Sequence, residues 1–233
     1  MSQTILIAGG NSGIGLETVR QLTDSGMKVI CATRSEDQLT GIPGVSTVGF
    51  EAASDDAPTV EVDALDGFVY CPGTINLKPF HRLSDNDFMN DWQVNFMGAV
   101  RLLRANLGAL KNADNASVVF FSTVAVQTGL PFHASIAAAK GAIEGLTRAL
   151  AAELAPKIRV NCVAPSLTDT GLASALLSTP EKREASAKRH PLRRVGDPVE
   201  VSKTVKFLLG EDSGFITGQV LQIDGGLSTL KGI

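Results

Sequence analysis

Gly9-Gly10-Asn11-Ser12-Gly13-Ile14-Gly15 follows directly on the short apolar run Thr4 to Ala8 and leads into a stretch of helical period, Ile14 to Asp24. Four glycines in seven residues exceed what a plain strand-to-helix turn needs. Glycine admits unusual φ and lets another backbone come close. The first N–H groups of a helix have no partner within it, and the helix dipole is positive at that end. A glycine-rich turn between a strand and a helix therefore reads as a seat for a pyrophosphate, with Gly9, Asn11, Ser12, Gly13, Ile14 and Gly15 as its candidate contacts.

Outward from this turn, β-branched runs recur: Lys28 to Ala32, Val45 to Phe50, Phe68 to Cys71, Val118 to Phe121, Arg159 to Val163 and Val220 to Ile223. Stretches of helical period lie between most of them, at Ser84 to Leu110, Ser135 to Leu154 and Pro198 to Leu209. Ser84 and Asp87 have the spacing of a capping box. The segment between Phe50 and Phe68 is acidic and poor in helix signals, and reads as a loop. This alternation predicts an α/β chain, a doubly wound (Rossmann) parallel sheet of about seven strands with helices on both faces. No repeat or linker divides it, so residues 1–233 read as a single domain.

The second strand ends in Thr33-Arg34-Ser35, where the adenosine ribose of a bound dinucleotide would lie. A carboxylate there would accept from the ribose 2′-hydroxyl, whereas a guanidinium pairs with a 2′-phosphate. Arg34, followed by Ser35, thus favours NADP(H) over NAD(H).

Composition excludes other classes. Hydrophobic residues make up 44% and charged residues 19% of 233, and 21 Lys and Arg stand against 24 Asp and Glu, net charge -3. Nothing in that balance favours nucleic acid or an anionic membrane surface, and no run of 18 apolar residues exists. Cys31, Cys71 and Cys162 lack Cys-x-x-Cys or Cys/His ligand spacing, so neither disulfides nor a metal site is expected; they read as buried, reduced thiols. Met1 to Ala8 lacks the pattern of a secretory signal, and a cytoplasmic protein is expected.

With these residues in view, the chain resembles the short-chain dehydrogenase/reductase family along nearly its whole length. Further landmarks carry the resemblance: Cys71-Pro72-Gly73 where that family usually has Asn-Asn-Ala-Gly, Asn95 in the long helix, Arg159-Val160-Asn161 before Pro165, and Ile223-Asp224-Gly225-Gly226. The resemblance implies a catalytic set of Asn, Ser, Tyr and Lys, with Tyr and Lys four apart on one helix. Lys140 fits, but the tyrosine position is Ile136, and the one tyrosine, Tyr70, lies in a strand and is expected in the core. Thr123 stands thirteen residues before Ile136, the separation expected of the serine, with Ser122 beside it. By the same resemblance Asn95 would distort its helix and hold a relay water, and Lys140 and Gly73 would meet the cofactor. Pro165 and Thr168 would anchor the nicotinamide, with Ser166 in place of the usual glycine.

An aliphatic side chain donates no proton, and a positioned general acid contributes on the order of 10²- to 10⁴-fold. Ile136 therefore separates two readings. In one the chain is an NADP(H)-dependent oxidoreductase acting on a carbonyl or alcohol with altered proton delivery, through Thr123, Ser122, Asn95, Lys140 and His133. In the other it is a catalytically inactive dinucleotide-binding sensor, regulator or structural partner. His133 lies near one helical turn before Ile136 and has the chemistry for acid–base work, although a histidine at a helix start also serves as a cap or surface residue.

Residues 166–194 read as a substrate lid, with Leu172, Leu176 and Leu177 as apolar cover. Within it Glu181 to Arg194 carries six Lys/Arg against two Glu and reads as a solvated, mobile surface segment. The helices Asn95 to Leu110 and Ser135 to Leu154 present small and apolar residues on more than one face, predicting a homo-oligomer. The family's two interfaces imply a homotetramer; the sequence alone leaves dimer and tetramer open.

Overall fold

Alternation along the first strand sets the two faces of the sheet. In β1 (Thr4–Ala8) Ile5 and Ile7 join the cluster on one side, while Leu6 and Ala8 join the cluster on the other. Such period-two burial on both faces is what a parallel sheet between two helical layers requires. The computed structural model describes residues 2–230. Its sheet has seven strands in the order β3-β2-β1-β4-β5-β6-β7, every pair parallel. The other strands are β2 (Lys28–Thr33), β3 (Val45–Gly49), β4 (Gly67–Tyr70), β5 (Ala116–Phe121), β6 (Ile158–Pro165) and β7 (Val220–Ile223). Strand order reverses between β1 and β4, and ligands of open α/β sheets bind in the crevice beyond the strand ends at such a switch point.

One layer is made by α1 (Gly13–Thr23) and α7 (Pro198–Leu209), whose Val19, Leu22, Val201, Val205 and Leu208 are buried against the Ile5 side. The other is made by α3 (Gly98–Asn112) and α5 (Ala134–Leu154), with Leu102, Leu110, Ile143 and Leu154 buried against the Leu6 side. Between Phe50 and Gly67 the chain has neither helix nor strand. Among the described residues no helix is long and apolar enough to cross a membrane.

Strand and helix bounds differ from the sequence reading by one or two residues, the clearest case being β6. It runs from Ile158 through Pro165, because it pairs with β5 over its first six residues and with β7 over its last four. The Arg159-Val160-Asn161 landmark has a structural basis here. Arg159 donates to the carbonyls of Leu208, Gly210 and Ser213, and Asn161 donates to the Ile216 carbonyl. These bonds satisfy the end of α7 and fix the approach to β7.

The helical stretch from Ser84 is interrupted in register. α2 (Asp85–Trp92) starts at a complete Ser84–Asp87 capping box and passes through a π-helical turn at Gln93–Met97, centred on Asn95, into α3. A π turn leaves carbonyls without their usual partners. Tyr70, fully buried, donates its hydroxyl to the Val94 carbonyl at 2.7 Å, and its oxygen occupies the space where a Cβ of residue 98 would stand, which is glycine. Replacing Tyr70 with Phe leaves that carbonyl unpaired in the core and is expected to lower stability by about 1–2 kcal/mol. Urea unfolding checks this; an unchanged midpoint would contradict the role given to the hydroxyl.

Candidate functional site

The ends of β1, β4, β5 and β6 bring the sequence-singled residues to one crevice. At the end of β1, Gly9 and Gly13 have φ of +70° and +51°, and Gly15 packs so closely on the Gly9 carbonyl that no Cβ would fit. The tight turn delivers the chain to Gly13, where α1 begins. Ser12 makes no side-chain capping bond and the first turn holds no acidic residue, so its N–H groups and positive dipole end face the crevice uncompensated. This cradle fits an anionic pyrophosphate.

Beyond it lies a cavity of about 360 Å³ whose wall includes Ile14, Gly73, Thr123, Ile136, Lys140 and Thr168. Ser122, His133 and Pro165 also reach it. The two hydroxyls after β5 differ. Ser122 is buried and donates to Glu144 Oε1 at 2.8 Å, whereas Thr123 only accepts, from the Ala125 N–H at 3.3 Å. Thr123 therefore keeps a proton to offer to the cavity.

Lys140 is buried at one end of this wall, four residues on from Ile136 along α5. Burial pulls its ammonium down to about 8; the nearby thiols of Cys162 and Cys71 and the Asp91 carboxylate act in the opposite sense. Asn95 is fully buried and donates to Thr74 Oγ1 and the Asp91 carbonyl, both at 2.8 Å. A Cβ added to Gly73 would stand 3.2 Å from Asn95 Oδ1 and 3.6 Å from Lys140 Nζ, so glycine keeps the space between those two groups open. Ile136 is buried beside them and offers no polar atom.

Arg34 and Ser35 lie apart from this cavity, whereas His133 and Thr168 are on its wall. Arg34 borders a separate shallow hollow with Thr33, Phe50 and Glu51, and meets Glu51 at 3.5 Å. Ser35 donates to Asp37 at 2.9 Å. His133 hydrogen-bonds through Nδ1 to the Pro131 carbonyl at 2.7 Å. Thr168 is buried and donates to the Ser166 carbonyl at 3.1 Å. The basic stretch is helical over α6 (Pro180–Lys188), started by the Thr179 hydroxyl. Arg183 ties α6 to the turn after β6 through a two-pronged bond to Asp169, 2.6 and 3.2 Å.

The family model described as enoyl-(acyl carrier protein) reductase matches residues 8–228. A tropinone reductase homolog of Arabidopsis thaliana is 34% identical over 97% of this chain and 92% of its own length. L-xylulose reductase of Bos taurus is 31% identical over 95% and 94%. A solved short-chain dehydrogenase/reductase, glucose/ribitol dehydrogenase from Brucella melitensis, superposes with a TM-score of 0.88 at 28% identity over 98% of this chain and 97% of that one. The chain belongs to the short-chain dehydrogenase/reductase family. It is an oxidoreductase of that type, and the family binds nicotinamide cofactors.

Sequence reasoning overlooked three side chains at this family site. Asp91 is fully buried, accepts from Thr74 Oγ1 at 2.5 Å, and leaves its second oxygen unpartnered; its position one helical turn before Asn95 was the available signal. His190 is buried and bonded to Ser166 Oγ at 2.9 Å, a pairing across 24 residues that sequence periodicity does not reveal. Glu144, the acceptor of Ser122, lies one turn after Lys140.

The displaced Lys140 ionisation gives a signed pH dependence. Its folded pKa is below the unfolded one, so burying the ammonium costs stability fully below about pH 8, and the cost is relieved as pH rises toward 10.5. Lys140→Met is expected to be more stable than wild type at pH 7 by up to about 3 kcal/mol, with the difference shrinking above pH 8. Paired urea titrations from pH 7 to 10 check it; a difference independent of pH would contradict the burial argument.

Proposed function

We propose that the protein is an NADP(H)-dependent oxidoreductase that interconverts a carbonyl and an alcohol, with a proton supply that does not use residue 136. The observation that carries the reading is the placement of buried Lys140 and proton-bearing Thr123 in one cavity, beside the open N-terminus of α1. A bound nicotinamide dinucleotide supplies hydride exchange with the substrate carbon. The amides of residues 13–15 hold the pyrophosphate, with Gly9, Asn11 and Ser12 shaping the turn. Lys140 binds and orients the nicotinamide ribose, Asn95 holds the π turn behind it through Thr74 and the Asp91 carbonyl, Gly73 and Pro165 shape the pocket, and Thr168 meets the carboxamide. Thr123 donates a hydrogen bond to the substrate oxygen, and Ser122 ties the end of β5 to α5 through Glu144.

Arg34 supports the phosphorylated cofactor. Its contact with Glu51 is exposed on both sides, and such pairs contribute at most about 1 kcal/mol, so a 2′-phosphate displaces Glu51 at little cost. Residues 166–194 act as the lid of this single domain, with Leu172 and Leu176 on the cavity wall, and their apolar surface excludes water from the reacting oxygen. The free thiols Cys31, Cys71 and Cys162 suit the reducing cytoplasm. The exposed Ala138, Gly145, Ala149 and Ala152 share one face of α5, which suits close helix packing in a homo-oligomer.

Fluorescence titration should give at least ~10-fold tighter binding of NADPH than NADH, one good charge-assisted contact being ~1.5–3 kcal/mol, and Arg34→Ala should remove the preference. Equal affinities in wild type would overturn the NADP assignment. NADPH binding without turnover of any carbonyl, together with turnover gained in Ile136→Tyr, would instead establish the inactive dinucleotide-binding reading.

A further inference from the structure

Ser166 and His190 line the main cavity and also a second, smaller one of about 140 Å³ behind it, which Arg194, Glu200 and Asp224 border. The pair thus forms part of the wall between the two. His190 is 2% exposed, and both of its ring nitrogens are bonded: Nδ1 to the Ser186 carbonyl at 2.8 Å, Nε2 to Ser166 Oγ at 2.9 Å. A carbonyl can only accept, so Nδ1 carries a hydrogen and Nε2 is the nitrogen free to gain or lose one. When Nε2 is protonated it donates to Ser166, and the Ser166 hydroxyl is released to donate to something else.

We propose that Ser166 and His190 are the proton route into the active site: the Ser166 hydroxyl protonates the substrate oxygen and is reprotonated by His190, which is recharged from the small cavity. This rests on the oxidoreductase reading above. During reduction the carbonyl carbon gains a hydride from the reduced nicotinamide dinucleotide, which is oxidised. The π pair of the carbonyl moves onto its oxygen, and the O–H bond of Ser166 breaks as its proton follows. Ser166 oxygen then takes the Nε2 proton of His190, and a solvent proton, the one that the overall reduction consumes, reaches the imidazole through the small cavity.

Position and elimination both single out this pair. Ser166 follows Pro165, whose carbonyl accepts from the Val124 N–H at 3.3 Å, so it is next to the strand end that carries Thr123. Among the cavity hydroxyls, Thr74 donates to Asp91, Ser122 to Glu144, and Thr168 and Thr170 to backbone carbonyls, while Ser186 is the residue whose carbonyl holds His190 Nδ1. Thr123 has no titratable partner behind it. Ser166 is bonded to a group that can hold and hand on a proton. Asp224, held below the usual carboxylate range against the opposing effect of burial by bonds from Ser228 and Gly226, also borders the small cavity that His190 lines. The other charged groups around His190 are Arg194 and Glu200 in the small cavity, Arg189 beside it and Lys140 on the main cavity wall.

Two measurements test the route. In 15N-histidine NMR of the protein without cofactor, His190 Nδ1 should carry a hydrogen and Nε2 should show the shift of a nitrogen bonded to a hydroxyl; a neutral ring with its hydrogen on Nε2 and a bare Nδ1 overturns the route. NADPH consumption is then followed with a panel of an α-diketone, an aromatic ketone, a ketose and a β-ketoester. Ser166→Ala and His190→Gln should each lose ~100-fold or more in kcat, with KM and NADPH binding within about threefold. Ser166→Thr should retain turnover, and free imidazole should restore it in His190→Gly, which a merely structural contact would not provide. If His190 variants do not fold, Ser166→Ala and Ser166→Thr decide. Either Ser166→Ala or His190→Gln remaining within threefold of wild type overturns the route alone. A wild type that consumes no NADPH with any carbonyl overturns the oxidoreductase reading and the route together.

Discussion

The N–H groups that open α1 have no acceptors inside their helix, and the protein leaves them that way at the one place in the sheet where strand order reverses. Ser12 does not cap them and no carboxylate neutralises them. The glycines of the turn serve this arrangement: positive φ at Gly9 and Gly13 turns the backbone, and the missing side chain of Gly15 lets helix and turn close up. A ligand with concentrated negative charge completes the hydrogen bonding that the fold withholds. The rest of the site is arranged around where such a ligand would extend, from the end of β2 to the cavity beyond β4, β5 and β6.

That cavity holds a buried cation, Lys140, and one helical turn toward the helix start stands an aliphatic side chain, Ile136. Burial pulls the pKa of Lys140 down to about 8. In the family's usual arrangement a lysine lowers the pKa of an adjacent tyrosine; here that electrostatic coupling has no phenol to act on. The α5 wall keeps the lysine, and the ends of β5 and β6 contribute hydroxyls. Proton supply from a different wall of the same cavity is physically consistent with this division of labour.

Much of the fold was legible in the sequence because its signals are local. Short β-branched runs marked all seven strands, Pro198 stands at the first residue of α7, and the Ser84–Asp87 spacing matched the capping box that forms. The glycine turn could be read because strand, glycines and helix are contiguous. What escaped is non-local. Arg159 and Asn161 looked like markers of a resemblance, and only the fold reveals that they tie α7 and β7 together. The Ser166–His190 bond spans a lid, and no periodicity connects its ends. Charge counting read Glu181 to Arg194 as a solvated, mobile segment, since the acidic partner Asp169 lies outside that window.

The central claim is most directly tested by the structure of a complex with NADPH. The account predicts the pyrophosphate at the start of α1, within hydrogen-bonding distance of the backbone amides of Gly13 and Ile14, with the nicotinamide lying toward Lys140. A dinucleotide bound elsewhere, or a crevice that stays closed by protein at saturating NADPH, would contradict it.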